Sequence, residues 1–165
     1  MRLIRMIILV SLFICSCQSN ENSGMSEYNL LDYGIPLTIM APDSSDITKA
    51  NYGVSKEVTI QSEDDDNYNV QIFLAEATTS DQGKVKAQQL EMLQQMPIFS
   101  KVILDEPNGF IYETVTDSTY HSFGFRRVLI QGTREYIFQT GIGTYTQAQV
   151  EKMYKATKPV TPRKK

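Results

Sequence analysis

The sequence predicts an α+β fold in which an antiparallel β-sheet of six to seven strands is flanked by two helices. Several segments alternate apolar and polar residues, which is typical of strands with one buried face. Two other segments place apolar residues three and four positions apart, the period of an amphipathic helix. The dipeptide Asn108-Gly109 between two predicted strands is typical of a tight hairpin turn. We therefore expect the order β-β-β-α-β-β-β-β-α, with the helices covering one face of the sheet.

The predicted strands depend on this alternation and on a high content of β-branched and aromatic residues. The clearest case is 68–77, where Val70, Ile72 and Leu74 fall on one face. Pro36 cannot donate to a β-ladder, so we expect the first strand at a sheet edge. The predicted strands are 34–42, 56–61, 68–77, 99–105, 110–115, 120–130 and 135–141.

Two helices are predicted, at 80–96 and at 147–157. Before the second, Thr146 and Gln149 have the spacing of a capping box, which satisfies free backbone amides at a helix start. Pro97 is expected to end the first helix. The apolar face expected on the first helix comprises Val85, Leu90, Met92, Leu93 and Met96.

The first residues have the layout of a bacterial secretion signal. Arg2 and Arg5 supply a positive start, and the apolar run 6–14 is too short for a membrane-spanning helix, which needs roughly 20 residues. The small Ser16 precedes Cys17, which resembles the lipobox of bacterial lipoproteins, where the cysteine receives the lipid. We therefore predict lipidation at Cys17. The alternative is an ordinary signal peptide with incidental cysteines.

Four regions follow along the chain. Residues 1–16 are the predicted lipoprotein signal peptide, 17–29 a flexible tether, 30–160 a single α+β domain and 161–165 a basic tail. The lipid would hold the domain in the cell envelope, at the periplasmic face of a membrane or at the outer membrane. Two or three acyl chains suffice, because each buried methylene contributes about 0.8 kcal/mol.

Composition excludes some classes of function. The formal net charge is −3, and a mildly acidic domain is a poor partner for nucleic acid. The two cysteines are Cys15 and Cys17, so the domain has no disulfide. The only histidine is His121, so a zinc site would lack the His and Cys ligands that it usually uses.

His121 is the candidate general base, and it lies in a predicted strand. Ser122 follows it directly, so the two side chains point to opposite faces of the sheet and cannot form a nucleophile–base pair. We interpret His121 as a partly exposed strand residue. The sequence therefore predicts no enzyme activity and no cofactor.

Other polar groups also have a structural interpretation beside the functional one. The acidic run 63–66 and Asn67 offer oxygen ligands for Ca²⁺, but they lack the glycine and distal glutamate of an EF-hand, which favours a solvated loop. The glycines after the late strands form no phosphate-binding loop; they are Gly132, Gly141 and Gly143. The methionines that could bind a soft metal are expected in the core instead; they are Met40, Met92, Met96 and Met153.

The element order resembles the PsbP/Mog1-like fold. The resemblance is carried by the proline-bracketed opening 35–42, the segment 125–140 (FRRVLIQGTREYIFQT) and a C-terminal helix capped by Thr146. It covers about residues 30–160. It implies a PsbP/Mog1-like sandwich that binds proteins without catalysis, as most characterised members do. No functional residue carries over.

We therefore expect a membrane-anchored lipoprotein that is a non-catalytic binding or accessory factor for an unknown protein partner. The alternative is a small-ligand-binding lipoprotein with a pocket between helix 80–96 and the sheet. There Arg126 or Arg127 would bind an anion, although a surface charge pair is the competing interpretation. Neither hypothesis includes a metal site or a nucleic-acid partner.

Overall fold

The structure is a computed structural model that describes residues 24–62 and 67–160. The signal 1–16, Cys17, most of the predicted tether, the acidic run 63–66 and the tail 161–165 lie outside the described residues. The elements are β1 (Met25–Asn29), a 3₁₀ turn (Leu31–Tyr33), β2 (Thr38–Pro42), β3 (Asp46–Asn51), β4 (Lys56–Gln61), β5 (Asn69–Glu76), α1 (Gln82–Gln94), β6 (Phe99–Glu106), β7 (Gly109–Thr116), β8 (Tyr120–Gln131), β9 (Arg134–Thr140) and α2 (Gln147–Ala156).

Seven of these strands form one antiparallel sheet in the order β3-β4-β5-β9-β8-β7-β6. The predicted α+β class, the antiparallel sheet and the two helices are confirmed. Strand β5 buries Val70, Ile72 and Leu74, the face that its alternation predicted. It lies between β4 and β9, so both of its backbone edges are hydrogen-bonded.

The hairpin β1–β2 forms a separate two-stranded sheet. The last residues of the predicted tether 17–29 form strand β1. Two side chains of β1 make contacts with distant parts of the chain that the sequence does not reveal. The Tyr28 hydroxyl donates to the carbonyls of Pro42 (2.9 Å) and Asp43 (3.0 Å), and Met25 packs against the core. Strand β2 therefore pairs with β1 and not with an edge of the main sheet.

Strand β3 was not expected, since no strand is predicted between 42 and 56. It is an edge strand with little burial: Ile47 and Ala50 are half-buried and its other residues are exposed. Pairing with β4 makes it a strand, and its own side chains contribute little apolar signal.

The two helices lie on opposite faces of the sheet, and not on one face as expected. In β8 the consecutive residues Arg126 and Arg127 contact Gln89 of α1 and Tyr154 of α2, respectively. Consecutive strand residues point to opposite faces, so the two helices lie on either side of β8. The reason is that β8 is apolar on both faces and needs cover on both. We call these the α1 face and the α2 face.

The main core lies on the α2 face, between the sheet, α2 and the hairpin β1–β2. The rings of Phe125 and Tyr154 meet edge to face there, with centroids 5.6 Å apart. A smaller buried layer lies on the α1 face. It comprises Val85 and Leu93 of α1 with Phe110 and Val128 of the sheet.

Helix α2 begins with the predicted capping box of Thr146 and Gln149, which is confirmed. Helix α1 differs from prediction on its apolar face, since Met92 is 63% and Met96 42% exposed. The buried stripe of α1 is centred between Val85 and Leu93, which leaves Met92 at its edge, and Met96 follows the end of the helix. The prediction that both methionines pack in the core was wrong.

The sheet has two ends, and the first described residue, Gly24, lies at one of them. We call this end the N-terminal rim; β4 and β9 finish there, and β5 and β8 begin there. The Gly24 carbonyl accepts from Asp43 N–H (3.3 Å). Ser44, which follows Asp43, contacts Ser62 directly after the end of β4 (3.0 Å between hydroxyl oxygens), so Gly24 lies at this rim. We call far rim the opposite end, with the β3–β4 and β8–β9 turns.

Candidate functional site

His121 lies near the start of β8, half exposed, beside the buried carboxylate of Glu113 on β7. Its Nδ1 is 2.8 Å from Glu113 Oε1, so the carboxylate orients the ring. Glu113 also accepts from the Ser100 hydroxyl (3.0 Å) and lies 3.5 Å from Lys101 Nζ. The hydrogen bond from His121 is the main reason that the pKa of Glu113 is below its ordinary value, with Ser100 and Lys101 adding to it against partial burial.

This cluster brings a histidine and a carboxylate together, but it holds no nucleophile for them. The Ser100 hydroxyl donates to Glu113 and not to His121. Ser122 lies on the other face of β8, where its hydroxyl accepts from Tyr145 N–H (3.3 Å). The cavities described below are not lined by His121. Within 24–62 and 67–160, no three His, Cys, Asp or Glu side chains group closely enough to hold a metal ion.

We predict that Glu113→Gln changes the pH dependence of stability. A lowered pKa means that ionised Glu113 stabilises the fold above its unfolded pKa, near 4.5, and that this contribution is lost as pH falls through the lower folded pKa. The difference in unfolding free energy between wild type and variant should therefore shrink on acidification. Urea unfolding from pH 7 to pH 3 measures it.

The matched control is His121→Ala, which removes the main cause of the shift. It should move the acid limb of the wild-type profile to higher pH while leaving the carboxylate in place. An unchanged acid limb in His121→Ala would contradict the assigned role of His121.

Arg127 is the buried charge of the α2 face, only 3% exposed. Its Nε donates to Thr157 Oγ1 (3.2 Å), and its Nη2 donates to the Tyr154 carbonyl (3.2 Å) at the end of α2. The guanidinium also stacks on the Tyr154 ring, 3.9 Å from its centroid, and lies 3.8 Å from Glu106. These partners belong to β6, to α2 and to the residue that follows it. Arg127 therefore holds structure together and does not line an anion pocket.

Glu106 completes this network from the end of β6. Its carboxylate accepts from the Tyr154 hydroxyl (3.0 Å) and from Lys158 Nζ (3.3 Å). Burial acts to raise the pKa of Glu106, but the hydrogen bonds and the charges of Lys158 and Arg127 outweigh it and leave the pKa below its ordinary value. Glu106 is thus ionised at neutral pH and balances the buried guanidinium.

We predict that Arg127→Ala lowers the free energy of unfolding by about 3 kcal/mol, because it removes the guanidinium that hydrogen-bonds Thr157 and Tyr154, stacks on the Tyr154 ring and balances Glu106. Arg126→Ala, one residue away on the opposite face, is the matched control and should cost less, since Arg126 is less buried. Urea unfolding monitored by circular dichroism gives both values. Equal losses of unfolding free energy in the two variants would show that the network around Arg127 stabilises the fold no more than the contacts of Arg126 do.

Arg126 lies between α1 and the sheet, where the alternative hypothesis placed a pocket. Its Nη1 donates to Gln89 Oε1 (3.1 Å), and its Nε is buried without a partner among the described residues. Burial lowers the pKa of Arg126, and an interaction with Tyr112 opposes that effect. Arg126 does not line the three cavities at the two rims of the sheet.

The far rim carries a groove of about 640 Å³, the far-rim groove. It lies on the α2 face between the turn at Gly34 and the ends of β4, β5 and β9. Leu74 and Ala75 provide apolar surface. The complete lining is Gly34, Gly53, Val54, Ser55, Lys56, Leu74, Ala75, Glu76 and Arg134.

Charge and apolar surface alternate around the far-rim groove. Lys56 and Arg134 contribute positive charge and Glu76 negative charge, with Glu76 and Arg134 paired across β5 and β9. Of the β3–β4 turn, the lining residue Val54 is 93% exposed, and Tyr52 beside the groove is 61% exposed. Such a lining suits an extended segment with an apolar side chain and charges of both signs.

Two other cavities lie at the two rims. One of about 480 Å³ at the far rim is mainly apolar and is lined by Leu31, Pro36, Leu37 and Val160 among others. One of about 210 Å³ at the N-terminal rim includes Asn69, Gly143 and Tyr145. The far rim therefore offers the larger binding surfaces.

The groove residues were not predicted from the sequence. Gly53, with its positive φ of 81°, marks a turn, but nothing in the sequence indicates that this turn meets Gly34 and Arg134 in space. Gly132 serves the β8–β9 turn, and Gly141 follows the end of β9, where a side chain would collide with Asn69. Met153 is buried in the core and Met40 is half-buried.

The part of the chain that the structure describes contains no helix long and apolar enough to cross a bilayer. No protein-family model matches the chain, and no curated protein matches it. The chemistry of the described residues is therefore the basis for a functional proposal.

Proposed function

We propose that this chain is a lipid-anchored, non-catalytic binding protein of the cell envelope, and that its far-rim groove binds a protein partner. One observation carries the proposal: the far-rim groove lies at the end of the sheet opposite to Gly24. An anchor upstream of Gly24 would hold the N-terminal rim near the membrane and leave the far rim free. The PsbP/Mog1-like relationship is part of the same proposal, supported by the element order.

The anchor rests on the sequence before Gly24. Positive charge, a short apolar run and Ser16-Cys17 are the features that lipid transfer and signal cleavage require. Only a thiol can accept the diacylglyceryl group as a thioether, so Cys17 is the residue that we assign. Cys15 follows the bulky Ile14, which suits cleavage less well.

The binding role rests on the far-rim groove. Its volume of about 640 Å³ falls within the range of ordinary ligand sites, roughly 300–1,000 Å³. Its mixed lining, which includes the exposed Val54, suits a protein segment more than a small apolar molecule. Among the described residues, His121 hydrogen-bonds to Glu113, and neither Ser100 nor Ser122 hydrogen-bonds to it, which is why we propose binding without catalysis.

We predict that Cys17→Ser abolishes membrane anchoring. Wild-type protein should partition into the detergent phase with a mature mass that includes the acyl chains, whereas the variant should stay unmodified. Cys15→Ser is the matched control and should remain lipidated. Loss of the lipid in Cys15→Ser with retention in Cys17→Ser would assign the modification to the other cysteine.

We predict that a photo-cross-linking amino acid at Val54 captures a specific partner on intact cells. The same probe at Ile142, on the N-terminal rim, is the positional control. Arg134→Glu should reduce the Val54 cross-link at least several-fold, because it reverses a charge of the far-rim groove. A cross-link of equal intensity from both positions, or one insensitive to Arg134→Glu, would exclude the groove as the binding site.

A further inference from the structure

The N-terminal rim carries exposed apolar side chains on neighbouring strands. Ile142, in the loop after β9, is 93% exposed, and Tyr120, at the start of β8, is 57% exposed. Ile98, beside β7 through the hydrogen bond from Val115 N–H to its carbonyl (2.8 Å), adds a third. Met92, in the last turn of α1, and Met96, just before β6 begins at this rim, are also exposed.

These side chains lie where the chain would leave the lipid. Gly24 is seven positions after Cys17, so the two are at most about 25 Å apart whatever path the chain takes. Strand β5, with eight residues, is itself about 26 Å long. Even when fully extended, the connection from Cys17 to Gly24 is no longer than strand β5. It therefore favours contact of the membrane with the N-terminal rim over contact with the far rim.

We propose that the N-terminal rim rests on the bilayer, with Ile142 and Tyr120 in its interfacial layer. This inference deepens the proposed function and depends on its lipid anchor. An aromatic ring with a hydroxyl suits the boundary between headgroups and acyl chains, and an exposed isoleucine gains by leaving water. The same contact would orient the far-rim groove away from the membrane.

The charges at this rim determine which lipids it suits. Asp43 and Asp117 lie at the turns of the rim, and Lys101 and the half-exposed His121 lie nearby. The described side chains at this rim carry little net charge, so the contact fits a zwitterionic surface and rests on apolar insertion, not on charge.

Single-tryptophan fluorescence tests the orientation, because the chain contains no tryptophan. Ile142→Trp and Val54→Trp are a matched pair, since both residues are 93% exposed and lie on opposite rims. Tyr120→Trp and Tyr52→Trp are a second, aromatic-for-aromatic pair with exposures of 57% and 61%. Each full-length variant is purified with its lipid and placed in phosphatidylcholine vesicles with brominated acyl chains.

We expect the bromines to quench Ile142→Trp and Tyr120→Trp at least two-fold, with a blue shift, and to leave Val54→Trp and Tyr52→Trp unchanged. Quenching of both rims alike, or of neither, in protein whose mass shows the lipid on Cys17 would overturn this inference and leave the anchor standing. Protein with an unmodified Cys17 would overturn the proposed anchor as well. Circular dichroism of each variant confirms that it is folded.

Discussion

The buried guanidinium of Arg127 is the constraint on which the arrangement of this domain depends. It extends from β8 to the end of α2 and to the β6–β7 turn, and it hydrogen-bonds or stacks on both of them. An ionised side chain can be buried only when its donors are satisfied and its charge is balanced. Here Thr157, Asn108 and the Tyr154 carbonyl accept from it, and Glu106 balances it. The position of α2 on the sheet is thereby determined at its C-terminal end.

The placement of α2 decides what the rest of the chain can do. With α2 over β8, the hairpin β1–β2 covers the remainder of the α2 face, and its apolar residues join the same core as Phe125 and Tyr154. The turn at Gly34, which connects β1 to β2, then lies against the ends of β4, β5 and β9 and completes the far-rim groove. The groove therefore depends on the packing of the hairpin above the sheet.

The two rims of the sheet differ in the features that they carry. The described chain begins at the N-terminal rim, while the larger cavities lie at the far rim. The proposed anchor at one rim would leave the groove at the other rim facing away from the membrane. The cluster of His121 and Glu113 links β8 to β7 near the N-terminal rim. Its contacts have a structural role, which fits a binding protein.

The sequence by itself determined the elements whose residues interact locally. Alternation identified β5, the Asn-Gly turn identified the β6–β7 hairpin, and the capping box located the start of α2, since each depends on neighbours within a few positions. Only tertiary structure decided the pairing of β1 with β2, the strand nature of β3, the helices on opposite faces and the far-rim groove. Each of these depends on contacts between distant segments, such as Tyr28 with Pro42 or Arg127 with Tyr154, and no local pattern encodes which segments meet.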